Sequence, residues 1–482
     1  MTNANANTVI FSSFFLLLLS LLSLPTATSA TTSTFATLSL SHFNTNRQPS
    51  LDVYHYLSHL AASSLARAHH IKNPKGPTTS AAAPTTAATP LSPHSYGGYS
   101  ITLKFGTPPQ TMPFVMDTGS SFVWFPCTHN YVCKDCDFSP GQSEGHRSIP
   151  TFIPKLSSTA RIVGCLNPKC GWIHNPDTRT RCSDCAPGST NCTQICPPYL
   201  ILYGSGSTGG LALLDTLYLD YKKVPEFLVG CSLFSSRQPA GIAGFGRGET
   251  AVPSQLGLSK FSYCLISHKF DDTQISSSLN LTGNSISGEK IAGVDYTPFL
   301  KNPQVEAKKQ FSVYYYLGLK KIMVGRKRVK IPHPYLSPPD PVTGYGGAIV
   351  DSGTTFTYMG RVIFEPVARE FETQVRAYNR TKQIEALTGL RPCFNVSGLK
   401  TVSLPSLRFK FKGGAQMVFP LENYFSIAGN AEAACLTVVT DPPGREELNG
   451  PKVILGNFQQ QNFYVEYDLK NNRFGFRPQK CA

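Results

Sequence analysis

The chain has 482 residues, 41% of them apolar and 15% charged, with 39 Gly and 37 Pro. It is too long for one hydrophobic core and too rich in turn formers for long solvated helices, so the composition favours an all-β chain of two or three domains. The formal charge of +15 attracts polyanions, nucleic acid or acidic polysaccharide, at long range, yet Lys320, Lys321, Arg326, Lys327, Arg328 and Lys330 alternate with apolar residues, as on the wet face of a strand hairpin.

Residues 1–30 carry no charged side chain, and the apolar run Ile10 to Leu24 ends at Pro25 and the small residues Thr26 to Ala30. This is the pattern of a secretory signal peptide cleaved after Ala30. The run is short for a bilayer span and lacks the Arg-rich character of a transit peptide.

Residues 31–94 hold Arg47, Arg67, Lys72 and Lys75 against Asp52 alone. Apolar spacing predicts a helix over Leu51 to Ala68, followed by a Pro/Thr/Ala-rich linker. From Tyr96 onward the text is strand-like, with short buried or alternating runs bounded by turns. The polar stretch Asp271 to Lys290 predicts a link between two lobes.

Fourteen cysteines suit an oxidising address and seven disulfides. Nine lie between Cys127 and Cys196, Cys231 follows, and Cys264, Cys393, Cys435 and Cys481 are scattered, allowing five bridges in one half and two in the other. The pairs Cys133/Cys136 and Cys182/Cys185 have zinc-ligand spacing, a reading that secretion disfavours; no metal or cofactor is expected.

An internal repeat is the most informative feature. Val115-Met116-Asp117-Thr118-Gly119-Ser120-Ser121-Phe122 aligns without gaps on Ile349-Val350-Asp351-Ser352-Gly353-Thr354-Thr355-Phe356. Behind each copy comes a second apolar segment ending in Gly: Gly241-Ile242-Ala243-Gly244 and Val453-Ile454-Leu455-Gly456. An apolar strand running into Asp-hydroxyl-Gly lifts a carboxylate out of a core onto a tight turn, where glycine permits close approach. Two such carboxylates meeting across two lobes cannot both ionise readily, so the pair shares a proton. One member then takes a proton from water while the other polarises a carbonyl, without metal or covalent intermediate. A single Asp-Thr-Gly would more simply be a capped turn, whereas matched copies point to chemistry.

With DTGSS, YGSGS, DSGTT and VILGN in this order, the chain from Tyr96 to Ala482 resembles the pepsin-like aspartic proteases, in particular the plant nepenthesin-like group. The resemblance implies a bilobal all-β fold, with residues 95–285 and 286–482 as the two lobes and Asp117 and Asp351 as the catalytic pair. Thr118 and Ser352 would bond across the lobes beneath the pair, Ser120 and Thr354 would support the outer carboxylate oxygens, and Gly119 and Gly353 would keep the turns narrow. Tyr203 and Gly204 match the mobile flap over substrate, and Trp124 the aromatic that receives the Tyr203 hydroxyl. The cysteines up to Cys196 match a Cys-rich insert, and Cys393 with Cys435 and Cys264 with Cys481 are the expected second-half pairs.

Residues 31–94 would then be a propeptide whose basic helix, with His55, His59, Arg67, His69, His70 and Lys72, occupies the cleft at neutral pH, with cleavage near Ser95. Sequons stand at Asn191, Asn280, Asn379 and Asn395; Asn280, in the predicted linker, is expected to be the most accessible. The expected function is acid hydrolysis of peptides or proteins by a secreted, monomeric enzyme of the apoplast, cell wall or vacuole, with acidic cell-wall polysaccharide as a second partner. The alternatives are a catalytically inactive relative serving as an inhibitor or wall-binding protein, and a DNA-binding nucleoid protease.

Overall fold

The structure is a computed structural model that describes residues 34–42, 53–73, 97–136, 149–174, 182, 185, 192–204, 206–220, 222–238, 240–267, 276–283, 290–429, 431–444 and 449–481. The predicted leader, the cleavage point near Ser95 and Asn191 lie outside these residues. No described helix is long and apolar enough to cross a membrane.

The two lobes are joined by one 15-stranded sheet that runs through the molecule. Alternation puts each strand in place: Tyr99, Ile101, Leu103 and Phe105 point into the core of strand Tyr99–Phe105, with Lys104 outward. Strand Gln110–Asp117 becomes wholly buried over its last four residues, which carries Asp117 into the interior. Aromatic packing closes the sheet around Tyr467, whose ring stacks on Phe261 at 4.4 Å and meets Tyr315 edge-on at 4.7 Å.

Both copies of the repeat fold in the same way. Strand Gly241–Gly244 lies parallel to Gln110–Asp117, pairing Gly244 with Asp117, and strand Val453–Leu455 lies parallel to Ala348–Val350, pairing Leu455 with Val350. A further strand runs antiparallel to the second member each time: Trp124 opposite Ile242 and Tyr358 opposite Ile454. The gapless alignment therefore extends to Trp124 and Tyr358, each seven residues past its aspartate.

Ahead of the first lobe, the predicted helix spans Val53–Lys72. It buries Leu57, Leu60, Ala61, Ser64, Ala68 and Ile71, one helical face, against Phe356, Tyr358 and Leu390 of the second lobe. Unforeseen is the strand Thr34–His42, which inserts between Ser276–Thr282 and Tyr99–Phe105. Within the predicted interlobe link, Ser276–Thr282 is a sheet strand, with Ser277, Leu279 and Leu281 alternating inward. Asn280 accordingly faces Thr37, accepting a 2.9 Å hydrogen bond from its hydroxyl, and is partly covered; Asn379 and Asn395 are the exposed sequons.

All fourteen cysteines pair: Cys127–Cys231, Cys133–Cys136, Cys165–Cys182, Cys170–Cys196 and Cys185–Cys192 in one half, Cys264–Cys481 and Cys393–Cys435 in the other. The basic stretch is the expected hairpin, Leu319–Val324 with Lys327–Arg328, and its cations are exposed.

Leu40 is fully buried in the inserted strand. Leu40→Ala is expected to lower the unfolding free energy of the full-length chain by about 2–5 kcal/mol, read by denaturant titration.

Candidate active site

Each aspartate ends a buried strand and sits on a turn that feeds it donors. Asp117 accepts the Gly119 N–H at 2.9 Å on Oδ1 and the Ser120 hydroxyl at 2.7 Å on Oδ2. Asp351 accepts the Gly353 N–H at 2.9 Å on Oδ1 and the Thr354 hydroxyl at 2.6 Å on Oδ2. The inner oxygens are thus held by backbone and the outer ones by side chains, identically in both copies. Beneath them Thr118 N–H donates to Ser352 Oγ at 3.1 Å and Ser352 N–H to Thr118 Oγ1 at 2.8 Å. Ser352 Oγ in turn donates to the Met116 carbonyl at 2.9 Å. This reciprocal lock ties the turns across the lobe boundary.

The glycines have a steric reason. A Cβ on Gly119 would stand 2.6 Å from Asp351 Oδ1, and one on Gly353 would collide with Asp117 Oδ1. Each glycine leaves room for the carboxylate of the other lobe.

Asp117 and Asp351 are 2% and 0% exposed, and uncompensated charge at that depth is costly. Arg67 of the N-terminal helix supplies the compensation. Its Nη2 donates to Asp117 Oδ1 at 2.7 Å and Oδ2 at 2.9 Å, and its Nε to Asp351 Oδ2 at 3.3 Å. Burial opposes the guanidinium charge, but the two carboxylates outweigh it and hold Arg67 protonated beyond its usual range. Burial pushes the Asp351 carboxyl up, Arg67 pulls it down, and the Asp117 charge pushes it up again.

The flap is the hairpin of Tyr199–Leu202 with Ser207–Leu219, turned by Tyr203 N–H donating to the Gly206 carbonyl at 2.7 Å. Tyr203 is buried, and its Oη accepts from Trp124 Nε1 at 2.8 Å, the partner expected from the resemblance. Gly204 lies against the helix backbone: a Cβ there would sit 2.6 Å from Arg67 Cα. His70 faces Tyr203 with ring centroids 6.5 Å apart. Burial, with the Arg67 charge second, pushes its imidazole down to about 4.

Of the basic helix expected in the cleft, Arg67 is the residue that bonds to the two aspartates. His55 is exposed, while His69 and Lys72 reach a different carboxylate, Asp441. His69 Nε2 lies 2.5 Å from Asp441 Oδ1, and Lys72 Nζ lies 3.5 Å from Oδ2. Lys72 also donates to Tyr358 Oη at 2.5 Å, and that hydroxyl donates to Asp441 Oδ2 at 2.5 Å. Sequence reasoning missed Asp441 and Tyr358. The signal for Tyr358 was present, since it occupies the repeat position of Trp124; Asp441 carries no motif.

Among the described residues no group of three or more His, Cys, Asp or Glu is arranged to hold a metal ion, and the CxxC thiols are in disulfides. The arrangement instead offers two hydrogen-bonded carboxylates that one proton donor bridges, at the foot of an aromatic flap. Such a pair can polarise a carbonyl and activate a water.

Comparison with known proteins agrees. Residues 99–281 match the family described as xylanase inhibitor N-terminal and residues 314–478 the one described as xylanase inhibitor C-terminal. The chain is 32% identical over 429 residues to a probable aspartyl protease of Arabidopsis thaliana, covering 80% of this chain and 82% of that one. It is 30% identical over 394 residues to the aspartic proteinase nepenthesin-1 of Nepenthes gracilis, covering 80% and 78%. Among solved structures, edgp superposes with a TM-score of 0.59 at 23% identity over 79% of this chain and 92% of that one. Soybean basic 7S globulin does so with 0.54 at 17% identity over 80% and 92%; these two speak to the fold. Two turns of one design, locked to each other across the lobes, together with relatives at this identity, place the chain in the pepsin-like aspartic protease family of plants.

Proposed function

We propose that the chain is a secreted aspartic endopeptidase made as a precursor, in which residues 31–94 keep the catalytic pair occupied until acid releases them. The observation that carries this reading is Arg67, one guanidinium bonded to both carboxylates. With the helix gone, a water bound between the same oxygens gives a proton to the ionised member of the pair while the protonated member donates to the scissile carbonyl. Burial and the Asp117 charge, which push Asp351 up, keep one proton on the pair. Tyr203 and Trp124 close over an extended peptide and exclude solvent.

Acid release follows from the sign of two shifts. The His70 imidazole is pushed down from 6.5 to about 4 in the docked form, so it favours docking only while neutral. Its contribution is complete above 6.5 and is lost as the pH falls toward 4. The groups facing it are Arg67 and Tyr203, and a second cation beside Arg67 is repulsive. The Arg67 contact also pulls Asp351 down relative to a helix-free cleft, so docking weakens again as the pair takes up protons. A second reading, an inhibitor of a glycan hydrolase, draws on the xylanase-inhibitor description of the matching family alone.

Asp117→Asn in the acid-activated protein is expected to reduce peptide cleavage at least about a hundredfold, measured on a peptide library; cleavage at the parental rate defeats the two-aspartate mechanism, and an inactive parent favours the inhibitor reading. His70→Gln, which cannot gain charge, is expected to shift precursor activation to lower pH. Sequencing the new N-terminus near Ser95 across pH 7 to 3 reads this, and an unmoved midpoint removes His70 from the trigger.

A further inference from the structure

Asp441 is 6% exposed and has three partners: His69, Lys72 and the Tyr358 hydroxyl. Two of the three belong to the helix that carries Arg67. Together they pull the carboxyl below its usual range against the upward push of burial. Departure of the helix would strip this carboxylate of both cations and leave it one neutral donor, a state that draws a replacement cation.

The space that Lys72 vacates has the form of a cation pocket. Lys72 is completely buried, and its Nζ stands 4.6 Å from the centroid of the Tyr358 ring as well as against Asp441. An aromatic wall beside a carboxylate binds an ammonium or guanidinium group through ring quadrupole and charge at once. Lys308 of the second lobe donates to the Lys72 carbonyl at 3.2 Å and lies over the Phe311 ring, so its ammonium is engaged beside the helix end.

The pocket belongs to the cleft. Tyr358 holds in the second lobe the position that Trp124, the partner of flap Tyr203, holds in the first. Lys72 lies five residues beyond Arg67, about 7.5 Å along the helix axis, which equals about two residues of extended peptide.

We infer that Asp441 and the Tyr358 hydroxyl form a substrate subsite for a Lys or Arg side chain about two residues from the scissile bond, which the N-terminal helix fills with Lys72 and His69 in the precursor. The subsite rests on the endopeptidase reading above. It makes Asp441 a specificity residue, since it touches a substrate side chain and not the reacting atoms.

The test uses acid-activated protein on a peptide library randomised at three positions on each side of the cleaved bond, with products read by mass spectrometry. Lys and Arg are expected to exceed norleucine in kcat/KM by about tenfold at one fixed position, the worth of a charged hydrogen bond. In Asp441→Asn that ratio is expected to fall to about one, and in Tyr358→Phe to fall part of the way. If Asp441→Asn does not fold, Tyr358→Phe carries the comparison. Cleavage without Lys/Arg preference at any position, or an unchanged ratio in the variants, overturns the subsite and leaves the endopeptidase reading standing; no cleavage by the parent overturns both.

Discussion

Two carboxylates buried side by side are the constraint on which the structure turns. Water cannot solvate them at 2% and 0% exposure, and each raises the cost of ionising the other. Every nearby feature bears on that cost. The strands deliver the aspartates inward, the Gly119 and Gly353 amides and the Ser120 and Thr354 hydroxyls hold their oxygens, and the Thr118–Ser352 bonds stop the lobes from relieving the repulsion by drifting apart. In this form the remaining charge is met by Arg67. The seat of the N-terminal helix is therefore electrostatic as well as hydrophobic: Leu57, Leu60, Ala61 and Ile71 pack on the second lobe, and Arg67, His69 and Lys72 meet Asp117, Asp351 and Asp441.

Duplication explains the symmetry of the pair, and divergence explains the rest of the cleft. Trp124 and Tyr358 occupy one position of the repeat, yet the indole of the first donates to a flap tyrosine and the phenol of the second donates to Asp441. The equivalent step in each lobe thus ends in a polar handle of opposite kind. One side offers an aromatic lid and the other a buried anion, so a peptide crossing the cleft meets two different walls although the catalytic floor is two-fold.

What was legible in the sequence was what is local. The repeat could be read because a turn that admits a second carboxylate restricts its residues to Asp, hydroxyl and Gly within a few positions, and the helix could be read because Leu57, Leu60, Ser64 and Ala68 share one face. Tyr203 and Trp124 were placed by resemblance, and in the structure the Trp124 indole donates to the Tyr203 hydroxyl. Strand Thr34–His42 was legible but passed over: Ala36, Leu38 and Leu40 alternate with exposed Thr37 and Ser39, a period of two hidden in a Ser/Thr-rich text that reads as spacer. Ser276–Thr282 failed for the same reason, its inward Ser277 and Leu279 embedded among serines. The Asp441 network was beyond reach, since it joins residues 372 apart in sequence and depends on helix register as well as on strand order.

Under the proposed precursor role, acid acts on the two carboxylate sites in different pH windows. Near neutral pH His70 is uncharged and the helix is held by Arg67 at the pair and by His69 and Lys72 at Asp441. As the pH falls from 6.5 toward 4, a released helix takes up a proton on His70 that the docked one refuses, so docking weakens, while Asp441, held below the usual carboxylate range by its partners, keeps its charge through that window. One helix carries both contacts, from Arg67 to Lys72, so what weakens docking at His70 weakens it at both sites together.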